Sequence, residues 1–357
     1  MKNTLLLLLG LGFAACSNYS PLHDPCLRAK IGKASTTDSG VKITYYGNST
    51  LLIDDGKTSL LVDGFFSRPG PLETLFTKIG PDPELIKAEL QKGEINHVNA
   101  VLVGHAHHDH ALDATVVADH FRATVAGSRA FAQIHSKASN GRSRLEVIPP
   151  DGGPLFVGED GDEKFEVRFV RSDHVGAHSI IQRIIKDDIT APLSMPAHYS
   201  QFGCGEVFAL HISHKRHGTV LITTTAGAKD GQLSGREASI VFLGVGLLTK
   251  ESQDEQNRYW RETVEDSKAD VIVPVHWDNF TSKLDNGLTP FPFENPFKLM
   301  KLIKEKAGKR AVRVLDWGES IWIRNGKVYC PKPALGSARG RANNRALREG
   351  TGESVCD

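Results

Sequence analysis

Apolar residues in this chain fall mostly in short runs separated by turn residues, with a few longer stretches of helical period. Val41 to Tyr46 is β-branched and aromatic. Thr50 to Asp54 repeats the pattern, and Ser59 to Asp63 follows after an Asp55-Gly56 turn. Together they predict a meander of short strands. Residues 83 to 91 read as a helix, with Asp82 as cap, Pro83 at the first helical position and Gly93 as the stop. Asn99 to Val103 is a short buried strand, and Ala111 to Phe121 reads as the next helix. Further strands are expected at Phe165–Val170, Val207–Ser213, Val220–Thr225, Ile240–Leu243, Asp270–Val275, Val312–Asp316 and Ile321–Arg324. Helices are expected over 251–268 and from Asn295-Pro296 to Gly308. A meander followed by strand–helix pairs fits a layered α/β domain with helices outside two sheets.

The two ends stand apart from this pattern. Met1-Lys2-Asn3 is a short positive start, and the apolar run to Ala15 has the length of a signal-peptide core, too short to span a bilayer comfortably. Phe13-Ala14-Ala15-Cys16 resembles a bacterial lipobox, with Cys16 the lipidated residue. Ser17, where an Asp would signal inner-membrane retention, points to the outer membrane facing the periplasm in a Gram-negative cell. The expected organisation is a signal peptide over 1–15, a tether over 16–39, one domain over 40–330 and a disordered tail over 331–357. With Cys16 set aside, Cys26, Cys204, Cys330 and Cys356 remain. In an oxidising compartment they permit two disulfides in three connectivities, with free buried thiols as the alternative. The 357 residues suffice for a large core, and a formal net charge of +1 argues against a nucleic-acid partner.

The densest chemistry is the run His105-Ala106-His107-His108-Asp109-His110, directly after a buried strand. Zinc takes neutral imidazole and carboxylate ligands, and catalytic sites keep a position for water. Ligands at i and i+2 on a tight loop converge on one ion, and the next two can face a second about 3.5–4 Å away. Gly104 permits a sharp exit from the strand.

The pattern His-x-His-x-Asp-His resembles the metallo-β-lactamase superfamily, and the resemblance runs from about residue 41 to 325. Tyr46-Gly47-Asn48-Ser49-Thr50 and Leu61 to Arg68 are similar to the opening of one branch. That branch holds ascorbate-6-phosphate lactonases and the phospholipases D that cleave N-acyl phosphatidylethanolamine. The resemblance implies a four-layer αββα sandwich with one or two zinc ions, or other divalent metals, at one edge. It implies His105, His107 and His174 on the first metal, His178 being the rival to His174. It implies Asp109, His110 and His276 on the second. Asp63 is expected to orient a ligand imidazole, or else to be a turn residue. The family's bridging Asp has no counterpart, because Ala228 stands there; Asp230 is the candidate substitute. His198 and Tyr199, in an apparent loop, are the candidate substrate contacts, and His211, His214 and His217 read as structural or surface.

The expected chemistry is hydrolysis by metal-activated water, with Asp109 orienting it, on an ester, lactone or phosphodiester rather than a β-lactam. The substrate is expected to be a small molecule or a lipid. No G-x-S-x-G run suggests a serine nucleophile. The competing reading is a non-catalytic metal-binding envelope lipoprotein.

Overall fold

The computed structural model describes residues 32–34, 40–159, 162–176 and 188–331. Cys16, Cys26, His178, Cys356 and the side chain of Cys330 fall outside that description, and with them the lipobox and the disulfide alternatives.

Two large sheets carry the domain. In sheet order the first runs Gly32–Ala34, Lys327–Pro331, Ser320–Arg324, Val41–Tyr45, Leu51–Asp54, Ser59–Val62, Ala100–Leu102, Thr124–Gly127 and Arg144–Val147. The second runs Ala311–Val312, Val271–Val275, Ile240–Gly244, Gly218–Ile222, Val207–His214, Asp162–Ser172 and Gly152–Glu159. Lys78–Ile79 and Ala197–His198 pair separately. The meander is antiparallel, and the strands after it in the first sheet are parallel. The second sheet is likewise antiparallel at one side and parallel from Gly218–Ile222 onward.

The central parallel strands are the most apolar, as strands buried on both faces must be. Leu60, Leu61 and Val62, and Ile240 to Leu243, are wholly shielded from solvent. Side chains of both sheets and of the flanking helices join one hydrophobic core. This is an α/β sandwich with helices flanking two sheets, the layered architecture the sequence leads one to expect.

Helix boundaries follow local chemistry. Asp82 accepts from the amides of Glu84 and Leu85 and opens Pro83–Lys92, which Gly93 closes. Asn295 caps Pro296–Ala307 through the Lys298 amide. Elsewhere tertiary contacts override the pattern. The helix expected over Ala111–Phe121 is two pieces, His108–Ala111 and Ala114–Phe121. Asp113, at the joint, is buried and accepts from the Phe66 and Ser67 amides and the Ser67 hydroxyl. The helix expected over 251–268 is α-helical for Gln253–Trp260 and continues as a π-turn over Arg261–Glu265. The strand expected over Val312–Asp316 shortens to Ala311–Val312. The helix Arg129–Ala138, capped by Ser128, and the pairing of residues 32–34 with the last strand were not anticipated.

Four strands release their C-terminal ends at one edge. Ser59–Val62 leads into Asp63, Ala100–Leu102 into the histidine run, Asp162–Ser172 into His174, and Val271–Val275 into His276. The carboxyl ends of strands are where α/β sheets place ligands.

Candidate metal centre

Residues far apart in sequence arrive at that edge in two groups. One donor atom each from His105, His107, His174 and Cys204 lie within 4.8 Å of one another; Asp109, His110 and His276 form a second such set.

Gly104 sets the path of the histidine run, for a reason of space rather than backbone freedom. A Cβ there would stand 2.3 Å from Thr224 Oγ1. The close approach lets that hydroxyl meet His105 Nδ1 at 3.3 Å. The other ring nitrogen of His105, Nε2, is buried and has no hydrogen-bond partner. An orphaned imidazole nitrogen is costly in a protein interior unless something coordinates it. His174 is held through Nδ1, 2.9 Å from the Val175 carbonyl oxygen. The Val175 amide in turn donates to Thr225 Oγ1, so the segment leading to Ala228 lies beside the one carrying His174.

Burial, reinforced by the charges of neighbouring imidazoles, holds His105 and His107 well below the usual histidine range. Burial lowers His174 to about 4. All three rings are therefore neutral at pH 7, the form that binds metal.

The second group is organised by carboxylates. His110 Nε2 lies 3.2 Å and His276 Nε2 3.1 Å from Asp109 Oδ2. On its other side His110 Nδ1 meets Asp63 Oδ2 at 2.7 Å. Asp63, wholly buried, also accepts from Ser49 Oγ at 2.5 Å and from the Gly104 amide at 3.0 Å. Through this contact the Asp63 carboxylate holds the His110 ring from its Nδ1 side. Burial alone would raise the Asp109 carboxyl, but His110, His276 and His108 hold it well below the usual range. Burial would lower His110, but the Asp109 and Asp63 carboxylates raise it to about 10.

A further layer, unread in the sequence, braces this group. The Arg68–Asp278 pair, 2.7 Å apart, is almost wholly buried. Asp278 Oδ1 accepts from the Tyr45 hydroxyl and from the Asn48 amide, each at 2.7 Å. Asn48 Nδ2 donates to the Asp109 carbonyl at 2.6 Å, and its own carbonyl accepts from the His276 amide. Asn48, Asp63 and His276 all lie in the left-handed backbone region, with φ of 51°, 55° and 58°. The position of Asp278, two residues past His276, was the available signal for its role. Cys204 gave none, because its nearness to the histidines depends on a loop.

Other expected residues lie apart from the donors. Asp230, the candidate for the bridging carboxylate, is exposed, paired with Arg261 and outside both donor groups. Ala228 is buried, and the chain turns outward beyond it over Lys229, Asp230 and Gly231. His198 is exposed and Tyr199 half-buried at the start of the loop that carries Cys204; neither belongs to a donor group. His211 contacts the Glu237 carbonyl, and His214 contacts Asp55 while stacking on His217. His108 packs edge-on against Phe65, Phe202 and Phe280 and joins neither group.

Residues 43–187 match the family model of the metallo-beta-lactamase superfamily. No curated protein matches the chain. Similar solved structures include Igni18, a metallo hydrolase from the hyperthermophilic archaeon Ignicoccus hospitalis. It is 16% identical, with 80% of this chain and 98% of that one covered, at a TM-score of 0.48. A possible metal-dependent hydrolase from Veillonella parvula is 16% identical over 79% of this chain and 99% of its own, with a TM-score of 0.48. An isothiocyanate hydrolase from Delia radicum gut bacteria is 14% identical over 78% and 98%, with a TM-score of 0.45. The family match takes in less than half of the chain, residues 43–187, and the histidine run lies inside it.

Proposed function

We propose that this protein is a zinc-dependent hydrolase acting on an ester, lactone or phosphodiester. The observation that carries the reading is the pairing of two donor groups at one sheet edge, one of them centred on the partnerless Nε2 of His105. Imidazole and carboxylate donors suit zinc, and other divalent ions of similar preference also fit. A bound divalent ion supplies Lewis acidity and lowers the pKa of its water to about 7.

The chain's own residues orient the reaction. Asp109 stays ionised and accepts hydrogen bonds, so it aligns the attacking water rather than keeping its proton. Asp63 locks the His110 ring, and Asn48 fixes the Asp109 backbone. Phe280 packs on His276 at 5.5 Å and stacks on Phe291, which meets the exposed Phe293. This aromatic path from donors to surface favours a substrate with an apolar portion, such as a lipid.

The N-terminal sequence extends the proposal: Cys16 carries a lipid, anchoring the protein to the membrane of the cell envelope, in a Gram-negative cell the outer membrane facing the periplasm. Mass spectrometry of the mature N-terminus, with Cys16→Ser as control, tests this directly.

A second reading, a metal-binding envelope lipoprotein without catalysis, is favoured by one observation: Ala228 in place of a bridging carboxylate. Metal content per chain by elemental mass spectrometry, followed by a panel of phosphodiesters, lactones and acyl esters, separates the readings. Metal with turnover that Asp109→Ala abolishes supports the enzyme. Metal with no turnover on any class supports the second reading, and no metal after reloading sinks both.

A further inference from the structure

The loop between Ala197–His198 and Val207–His214 is fastened along its length. Phe202 is wholly buried, edge-on to His108 at 6.1 Å. The Cys204 carbonyl accepts from the amide of Ala106, between His105 and His107, at 3.0 Å. Gly205 has φ +61°, and a Cβ there would stand 2.3 Å from the Ala130 Cβ, so the loop presses on the helix Arg129–Ala138. The Phe208 amide then donates to the Gly104 carbonyl at 2.9 Å. These ties hold the Cys204 sulfur within 4.8 Å of a ring nitrogen from each of His105, His107 and His174.

His105 independently points to a ligand there. Its Nδ1 faces Thr224, and its Nε2 is buried without a partner in the same group. With the proton on Nδ1, Nε2 presents a lone pair. Three imidazoles and a sulfur are a tetrahedral set for a thiophilic ion such as zinc. Charge supports the same assignment. Ala228 removes a negative charge where the resemblance expects a bridging carboxylate, and a thiolate restores one.

We propose that Cys204, as a thiolate, is the fourth protein ligand of the ion held by His105, His107 and His174. The thiol proton is released to solvent when the sulfur–metal bond forms. The first position is then a closed site of three nitrogens and a sulfur, which leaves the position for water and substrate at the Asp109, His110 and His276 group. This assignment rests on the metal reading above.

The test is cobalt(II) substitution of the full-length protein, followed by absorption spectroscopy. The expected result is an intense near-ultraviolet thiolate-to-cobalt band that Cys204→Ser abolishes while cobalt remains bound. Alkylation of the unmutated protein, mapped by peptide mass spectrometry, checks the same point without a variant. Zinc loading should slow modification of Cys204 at least tenfold, with the stripped protein as reference. Cobalt bound without the thiolate band, or Cys204 alkylated equally fast with and without zinc, overturns the ligand assignment and leaves the metal reading standing. No cobalt bound at all overturns both.

Discussion

In the first donor group, His105, His107 and His174 meet edge-on, with ring centroids 4.6–4.9 Å apart, and burial keeps them neutral. In the second, His110 and His276 turn their Nε2 atoms onto Asp109, and the protonated His110 faces a carboxylate from each ring nitrogen, Asp109 from Nε2 and Asp63 from Nδ1. The first group gains little from its own members and exposes a lone pair to any cation. In the second, the Nε2 atoms of His110 and His276 already face Asp109, so a cation must displace the His110 proton to enter. Adjacent sites on one loop can thus differ in metal affinity and in pH dependence through their counter-charges alone.

The sharpest way to break this comparison is to remove one member of each group. His105→Ala should cost the first ion, and Asp109→Ala should abolish turnover with the fold intact. Both losses should exceed the roughly 10–100-fold seen when only an outer partner of a ligand is removed. Elemental mass spectrometry, turnover and circular dichroism read them out together. If His105→Ala leaves metal content unchanged, the first group is not a metal site.

Next comes Asp278→Ala, which leaves Arg68 buried without its partner. Breaking such a pair costs about 3–5 kcal/mol, measurable by denaturant unfolding. Because Asp278 braces Asn48, the second group should lose metal before the first does. Equal loss from both would show that the brace is general rather than local.

Asp63→Asn keeps the shape but removes a charge from His110. A fall of about 10–100-fold in second-site affinity is expected, with the first site unchanged by titration calorimetry.

The smallest effect concerns the protein stripped of metal by a chelator. His110 is raised from 6.5 to about 10, so the stability its proton contributes is full below pH 6.5 and is lost as the pH climbs through about 10. Melting temperature should fall across that window, and Asp63→Asn should flatten the fall. A flat profile in the unsubstituted protein would refute the internal proton.

The difference between the groups also marks what the sequence could reveal. His105, His107, Asp109 and His110 were legible because one short loop carries them, and His174 and His276 because each follows a strand end, an alternating one for His174 and an apolar one for His276. Helices opened by Asp82-Pro83 and Asn295-Pro296 were legible for the same local reason. The break at Asp113 was not, since its partners lie 46 and 47 residues away. Arg68 and Asp278 are 210 residues apart, and only the closed sheet brings them together. Cys204 read equally well as a disulfide cysteine, because nothing local in its sequence says which histidines its loop will meet.

The left-handed backbone at Asn48, Asp63 and His276 bears on how this protein would change under selection. Glycine tolerates that conformation freely, whereas most side chains are strained there by about 1–2 kcal/mol, asparagine least. Heat resistance and metal chemistry therefore pull in opposite directions at positions 63 and 276. A laboratory lineage chosen only for survival at high temperature would accumulate glycine there, and its hardiest members would be those that had discarded their chemistry.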